Sequence, residues 1–498
     1  MNTTGKILSL LLLVVSVFSA QELKNGYNRN NLDELRKQID DIVEDSNLQH
    51  AFWGIEIRSL ENDEVVYKKN SEKSFVPAST IKLFTTSAAL LLLGPTFQYS
   101  TEFYSSGKPD NTSIKNLIIK ASGDPTFVVS KNESMLLQHP LQSIADSLKK
   151  FNVSHIGGNI ISDNRIFDNQ MYGRGWEQDV LSNWYAPPIS SLSLNGNLTH
   201  VSVRPTENNF PAYIEVSPYF SGLSLINKVT TLACSGKHEN WLKIRKDDSH
   251  IFTIYGAIGE SETVLKEKLP VADPVKYFME NLNKQIVDSG IEVAGYTTDV
   301  TLEKDNFSYE NIEYLFSIES DDLQVIVKEI NKNSNNLYAE VLLKTLGVEL
   351  YGSGTSETGI KAVHDVLKNM GININNIQII DGSGLSRHNL VTPRQVLKLL
   401  VYMYKSGEFE HFYNSLPIAG LDGTLSGRMK NSNAENNVRA KPGFLEGVRT
   451  LSGYIKTADD EPMAFSIMLN NYHVSSNLAN YMFDLICSRL ANFKRNIN

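Results

Sequence analysis

The sequence predicts an α/β protein in which one domain is built from both ends of the chain and a β-rich region is inserted between them. Near the start, strands at 51–58 and 65–67 alternate apolar and polar residues and precede an apolar helix. Near the end, similar strands at 449–457 and 462–471 precede a closing helix. The middle section, about 97–300, is dense in short strands and turns. We therefore expect one sheet that combines strands from both ends of the chain.

The first residues predict a secretory signal peptide at 1–20. Lys6 precedes an apolar run that is too short to span a bilayer, and Ser19 and Ala20 are small residues of the kind that precede a cleavage site. No second apolar run of about 18 residues follows in the sequence. We expect a secreted or periplasmic protein without a transmembrane anchor.

Charge and cysteine content limit the classes of function that the sequence allows. The 498 residues carry a net charge of −9 without a basic stripe, which argues against nucleic-acid binding and against a polybasic membrane anchor. Cys234 and Cys487 could form one disulfide, but we expect two separate buried thiols. The sequence shows no metal-ligand cluster and no nucleotide-binding loop, so no cofactor is expected.

The early elements lead to the first chemical motif. A polar helix at 31–43 precedes the two strands, which a turn at 61–64 joins into a hairpin. The segment 75–95 then predicts the end of a strand followed by an apolar helix, which ends at Gly94 and Pro95.

This apolar helix begins with an S-x-x-K motif, Ser79 to Lys82. Positions i and i+3 share one face of a helix, so the Lys82 amine can reach the Ser79 hydroxyl. Apolar surroundings lower the pKa of a lysine amine, and the neutral amine can then accept the hydroxyl proton. The alternative is an exposed pair on an ordinary helix, because this motif also occurs by chance.

Two further motifs follow. Ser334 and Asn336 form an S-x-N motif in a loop at the mouth of a helix, and Lys441 and Gly443 form a K-x-G motif that opens a strand. The ordered set resembles the motifs of penicillin-binding proteins and related β-lactamases. The set therefore indicates acyl transfer through a serine far more specifically than the first motif alone.

Each motif residue has a role in such a reaction. Ser79 attacks the carbonyl and becomes acylated, and Lys82 is the candidate base for acylation. Ser334 and Lys441 can relay the proton to the leaving amine and hold positive potential near the substrate carboxylate. The Asn336 amide can hydrogen-bond the substrate backbone.

The strand of the third motif is the expected substrate-binding edge. Gly443 lets the substrate lie against the strand because it has no side chain. The backbone N–H groups of Ser79 and Phe444 would form the oxyanion hole.

The chain resembles the low-molecular-mass class C penicillin-binding proteins, which are serine-type D-alanyl-D-alanine carboxypeptidases and endopeptidases. The likeness covers nearly the whole mature chain, and its first motif is 77–82. Further matching segments are 122–126, 158–163, 185–187 with Asn195, 381–387 with 389–393, and 416–425. The resemblance implies a cell-wall hydrolase that acts on peptidoglycan and binds penicillin.

The resemblance also implies a domain organisation. The fold would be a penicillin-binding transpeptidase-like (β-lactamase-like) domain, with an antiparallel sheet flanked by helices, at 21–96 plus 304–498. Insertion domain II is expected at 97–195 plus 290–303, and a nested insertion domain III at 196–289. This agrees with the β-rich middle section.

The third motif departs from the family's usual Lys-Thr-Gly-Thr, because Pro442 and Phe444 replace the two threonines that help to bind the substrate's terminal carboxylate. N–H groups at i and i+2 of a strand point the same way, so the nitrogen of Pro442 faces the cleft if that of Phe444 does. No ladder bond is then lost, and we expect the strand to survive while carboxylate recognition weakens or moves. Arg449 is a candidate substitute cation, and a solvated strand arginine is the alternative.

We expect a serine DD-peptidase that hydrolyses D-Ala-D-Ala termini, D-Ala cross-links, or both, through an acyl-enzyme on Ser79. Its partners would be peptidoglycan stem peptides, with β-lactam antibiotics as covalent inhibitors. A β-lactamase is one alternative, although no E-x-x-L-N motif follows the second motif to activate a deacylating water. A non-catalytic wall-binding protein is the other, and only the lost threonines support it.

Overall fold

A computed structural model describes most of the chain, namely residues 32–128, 140–233, 240–248, 250–302 and 307–495. The predicted signal peptide and Cys234 lie outside these ranges, while Cys487 is a fully buried thiol. None of the helices in these ranges has the length and apolar character needed to cross a membrane.

The helices of the described residues are α1 (Leu32–Val43), α2 (Lys82–Leu93), α3 (Pro140–Lys150), α4 (Pro274–Asp288), α5 (Leu323–Lys332), α6 (Asn336–Tyr351), α7 (Ser356–Asn369), α8 (Pro393–Lys405), α9 (Phe409–Ser415) and α10 (Ser476–Asn492). The strands are β1 (Phe52–Ser59), β2 (Val65–Lys69), β3 (Ser100–Ser106), β4 (Ser113–Ile114), β5 (Leu117–Lys120), β6 (His155–Ile156), β7 (Ile160–Asp163), β8 (Leu198–Arg204), β9 (Tyr213–Ser217), β10 (Ser224–Leu232), β11 (Trp241–Lys246), β12 (Ile251–Gly259), β13 (Leu265–Pro270), β14 (Glu292–Val293), β15 (Thr297–Asp299), β16 (Ile312–Glu319), β17 (Arg439–Leu445), β18 (Val448–Lys456) and β19 (Pro462–Asn470).

The main sheet confirms that strands from both ends of the chain pair with each other. Its antiparallel order is β17-β18-β19-β1-β2, so the late strand β19 lies directly beside the early strand β1. Strands β18 and β19 are buried along nearly their whole length because helices cover both faces of the sheet. Strand β17, which carries the K-x-G motif, lies at one edge.

Two apolar cores hold the sheet between its helical layers. On one face, α1 and α10 pack through Ile39 and Phe483 against Leu451 and Leu469. On the other face, α2 and α5 to α8 share a core with Met468. Helix α2 is buried on nearly all sides, which suits its run of apolar residues, and it ends at Gly94 with φ of 80°.

The middle section folds into further sheets. One five-stranded sheet has the order β15-β7-β5-β3-β16, and the two three-stranded sheets β10-β12-β11 and β13-β8-β9 share a small core. Strand β16 pairs antiparallel with β3, so the sheet continues as far as Glu319. A β-rich insertion is therefore present, and its exact domain boundaries stay a prediction.

The inserted section also completes the main core beside the first motif. Phe167 and Trp176 pack into the core that contains α2. The Trp176 Nε1–H donates a hydrogen bond to Asp381 Oδ2 at 2.9 Å. This contact joins the insertion to the loop at 381–387.

Candidate active site

Ser79 lies in a tight turn that the fold holds from two sides. A 3₁₀ turn, Ala78–Ile81, leads directly into α2, so Ser79 precedes the helix that Lys82 begins. We call this turn the nucleophile turn, after the role that the sequence predicts for Ser79. Ala78 adopts a left-handed backbone with φ of 47°, a strained conformation that commonly marks functional sites. A Cβ atom on Gly384 would approach Ala78 O to 2.1 Å, so only glycine allows the 381–387 loop to pack here.

Lys82 is fully buried and its amine contacts the serine. Lys82 Nζ lies 3.1 Å from Ser79 Oγ and 2.6 Å from Asn336 Oδ1, and it also donates to the backbone carbonyl of Ser383. Burial lowers the pKa of the Lys82 amine to about 7. The alternative of an exposed lysine on an ordinary helix is therefore excluded.

Two carboxyl groups behind Lys82 were not predicted. Asp381 and Glu340 both favour the charged form of the Lys82 amine and oppose the effect of its burial. Burial, together with the charge of Asp381, raises the pKa of Glu340 to about 7, while Glu340 Oε1 accepts a hydrogen bond from Ser383 N at 2.8 Å. The signal for Glu340 was its position one helical turn after Asn336.

The S-x-N motif reaches the same place from the start of α6. Asn336 Nδ2 donates to the carbonyl of Tyr185 at 2.6 Å while its Oδ1 contacts Lys82, so both ends of the amide are fixed. Ser334 has φ of 58°, and Asn335 caps α6 by accepting from Tyr338 N at 3.2 Å. This corner brings the second motif to the first.

The K-x-G motif lies against the nucleophile turn. Lys441 is fully buried, and burial together with the charge of Lys82 holds the pKa of its amine well below the usual value. A Cβ on Gly443 would lie 3.0 Å from Ser79 N and 2.2 Å from Thr450 Oγ1. The glycine therefore allows a close approach that any side chain would prevent.

Thr450 joins the sheet to the nucleophile turn through hydrogen bonds, and the sequence did not predict this role. Its Oγ1 donates to the carbonyl of Pro77 at 2.9 Å and lies 2.7 Å from Thr80 Oγ1. All of these atoms are buried. No motif marks this residue, since its role depends on its position opposite Gly443 in the strand register.

A cleft of about 440 Å³ opens over these groups. Its lining residues include Ser79, Ser334, Asn336, Gly443, Phe444 and Arg449. Both ammonium groups of the motifs are fully buried beside it. All three motifs thus contribute to one cleft. Within the described ranges, no cluster of His, Cys, Asp and Glu is arranged to bind a metal.

Pro442 does not interrupt β17, as predicted. Pro442 lies opposite Leu451 in a register that continues without a break from Arg439 to Leu445. Because β17 is an edge strand, one side of its backbone needs no partner strand. Pro442 and Phe444 both line the cleft.

Arg449 is a buried residue, so its interpretation as a solvated arginine is wrong. Only 8% of Arg449 is exposed, and its Nε has no hydrogen-bond partner. The guanidinium lies over the ring of Phe444, with 4.0 Å between its central carbon and the ring centroid. Burial lowers the pKa of this guanidinium.

Comparison with known proteins agrees with this geometry. The chain is 29% identical to a D-alanyl-D-alanine carboxypeptidase of Actinomadura sp. (strain R39), over 98% of this chain and 90% of the relative. It is 28% identical to the D-alanyl-D-alanine carboxypeptidase DacB of Haemophilus influenzae, over 84% and 85% of the two chains. The crystal structure of penicillin binding protein 4 (dacB) from Haemophilus influenzae covers 91% of this chain, and the match covers 99% of that chain, with a TM-score of 0.79 and 26% identity.

These matches confirm the predicted fold class and the resemblance to penicillin-binding carboxypeptidases. The sequence profile of the D-Ala-D-Ala carboxypeptidase 3 (S13) family matches residues 35–488. That range contains all three motifs and the whole inserted section. The chain belongs to the D-Ala-D-Ala carboxypeptidase 3 (S13) family of serine-type carboxypeptidases.

Proposed function

We propose that the protein hydrolyses peptidoglycan stem peptides at a D-Ala carbonyl, through an acyl-enzyme on Ser79. The observation that carries this proposal is the contact between Ser79 and a fully buried lysine amine, at 3.1 Å. A lysine with a pKa of about 7 is partly neutral at physiological pH and can act as a general base. The substrates are D-Ala-D-Ala termini, D-Ala cross-links, or both.

The motif residues account for acylation. The Lys82 amine takes the Ser79 proton as Oγ attacks the carbonyl carbon, and the N–H groups of Ser79 and Phe444 stabilise the oxyanion. Ser334 and Lys441 then pass a proton to the leaving amine as the scissile C–N bond breaks. A water molecule later attacks the acyl carbon, releases the acid and restores the Ser79 hydroxyl.

The edge of β17 is the proposed substrate-binding side of the cleft. Gly443 leaves room for a peptide backbone beside Ser79, and Phe444 supplies an exposed apolar ring at the cleft wall. Asn336 contacts Lys82 through Oδ1 and the Tyr185 carbonyl through one N–H of Nδ2, and the second N–H of Nδ2 is the proposed donor to the substrate backbone. Arg449 is the proposed source of positive charge for a substrate carboxylate.

The same serine is the proposed target of β-lactams. A structure of the Haemophilus influenzae protein with 26% identity to this chain contains a β-lactam, which supports this assignment. We also propose that residues 1–20 direct the protein to the periplasm or the cell exterior, where its substrate lies.

The proposed domain boundaries are those that the sequence predicts, apart from the position of β16. The catalytic domain comprises 21–96 plus 304–498, insertion domain II comprises 97–195 plus 290–303, and domain III comprises 196–289. The pairing of β16 with β3 supports an extension of domain II to Glu319.

Labelling with a fluorescent penicillin tests the proposal. The wild type should form a stable adduct, and Ser79→Ala should remain unlabelled. An unlabelled wild type would contradict the proposal and favour a wall-binding protein. Rapid hydrolysis of nitrocefin without a stable adduct would instead favour a β-lactamase.

A further inference from the structure

Arg449 is a cation that the fold buries without an opposite charge. It lies on β18 opposite Phe444, and its Nε has no partner. A guanidinium stays charged at any physiological pH, so burial without a carboxylate is unfavourable unless an anion binds. Among the described residues, no ion pair joins Arg449 to Asp or Glu.

The neighbouring Arg428, in contrast, has a guanidinium that is paired with an opposite charge. Arg428 Nη2 and Nε lie 2.6 Å and 3.0 Å from Asp484 Oδ1, and Arg428 Nη1 donates to Asn480 Oδ1 at 3.0 Å. Arg428 also lines the cleft, but Asp484 neutralises it. Arg449 is therefore the guanidinium at this end of the cleft that remains available for a ligand.

A second polar atom lies beside Arg449. The Tyr472 side chain is 6% exposed, and its hydroxyl oxygen faces the guanidinium and favours its charged form, although the two groups lack good hydrogen-bond geometry. Tyr472 lines a cavity of about 560 Å³ that shares Phe444 with the catalytic cleft. Phe444 thus separates two cavities and stacks on the cation between them.

We propose that Arg449 and Tyr472 form the subsite that binds the terminal carboxylate of the substrate, with Phe444 holding the guanidinium in place. This inference rests on the proposed function and names the group of the substrate that the cleft recognises. This subsite would take over the role of the two threonine hydroxyl groups of the usual motif, which are absent from β17 because Pro442 and Phe444 occupy those positions. A stacked guanidinium keeps its N–H edge free, and that edge fits a carboxylate through two parallel hydrogen bonds.

The test compares benzylpenicillin with its methyl ester, which differ in the carboxylate alone. The second-order rate constant of Ser79 acylation is measured for each by intact-protein mass spectrometry. Wild type should react about ten- to hundredfold faster with the acid than with the ester. Arg449→Gln should lose most of this preference by slowing the acid while the ester rate stays unchanged, and Tyr472→Phe should lose part of it.

Arg439→Gln is the matched control. Arg439 also stacks on an aromatic ring, with 4.6 Å from its central carbon to the Tyr413 ring centroid, but it does not line the cleft. This variant should keep the wild-type preference.

Three results would overturn the inference. Equal rates for acid and ester in wild type would remove the subsite while leaving the serine peptidase in place. An equal fall of both rates in Arg449→Gln would show a structural role for the arginine. Failure of wild type to form any adduct would instead overturn the proposed function, and the inference with it.

Discussion

Lys82 shows how burial changes the chemistry of one residue. The amine loses its water shell, so its pKa falls to about 7 although Asp381 and Glu340 oppose the shift. Lys441 is a second buried amine, and the charge of Lys82 adds to the effect of burial in lowering its pKa. The protonation state of Lys82 depends on Asp381 and Glu340 as well as on its own burial, and so it belongs to a cluster of groups and not to one lysine.

The pH dependence of acylation follows from this cluster. The neutral Lys82 amine is the proposed base, and its fraction rises with pH, so the acylation rate should rise with pH and level off above about 7. Below that value, the rate should fall by about tenfold for each pH unit. Acylation by benzylpenicillin between pH 5 and 9 measures this profile, and a flat profile would contradict Lys82 as the base.

Glu340→Gln provides the control for that profile. The ionised Glu340 carboxylate favours the protonated amine, so its removal should shift the rising limb to lower pH. A limb that does not move would show that Glu340 has no electrostatic contact with the base.

At the scale of elements, the contact between β17 and the nucleophile turn determines the geometry of the site. Gly443 lies against Ser79 N, and Thr450 on the next strand bonds to the carbonyl of Pro77. The edge strand and the 3₁₀ turn are therefore held together at van der Waals distance. Small changes at this contact should lower the acylation rate even where the protein still folds.

Gly443→Ala tests that contact. The added methyl would lie 2.2 Å from Thr450 Oγ1 and 2.8 Å from the carbonyl of Pro77, so strand and turn must separate. We expect about 1–3 kcal/mol of destabilisation and a fall of about hundredfold in the acylation rate. The control is Gly407→Ala, which has open space around its Cβ and should leave the rate unchanged. An unchanged rate in Gly443→Ala would contradict the account.

Pro442→Thr tests the tolerance of the edge strand. Because the proline interrupts no ladder bond, the substitution should change the free energy of unfolding by less than about 1 kcal/mol. Leu451→Pro, directly opposite on the inner strand β18, should cost about 3 kcal/mol or more because a ladder bond is lost there. Thermal unfolding measures both, and equal effects of the two variants would show that β17 is not a free edge.

At the scale of the whole molecule, the sequence predicted the parts with strong local signals. The apolar run that Gly94 and Pro95 end predicted a helix, the apolar strands and closing helix near the end of the chain were also recognisable, and the three motifs have a fixed order. The buried cluster around Glu340 and the role of Thr450 could not be predicted, because both depend on which distant side chains the fold brings into contact. The burial of Arg449 could not be predicted either, because a strand arginine carries no sequence signal for the aromatic ring that lies against it.

The inserted section also contributes to the site. Trp176 comes from the inserted section and donates a hydrogen bond to Asp381, which interacts electrostatically with Lys82, so the middle section helps to hold the proposed catalytic groups. The active site is therefore a product of the whole chain, in which segments from both ends and from the middle meet at Ser79.

The release of D-alanine from a peptide that ends in D-Ala-D-Ala tests the central claim most directly. The claim is that Ser79 and the distant Lys441 serve one reaction in one cleft. Wild type should release D-alanine, Ser79→Ala should release none above background, and Lys441→Ala should lose at least about hundredfold in kcat/KM. D-Alanine release by Ser79→Ala at the wild-type rate would contradict the account.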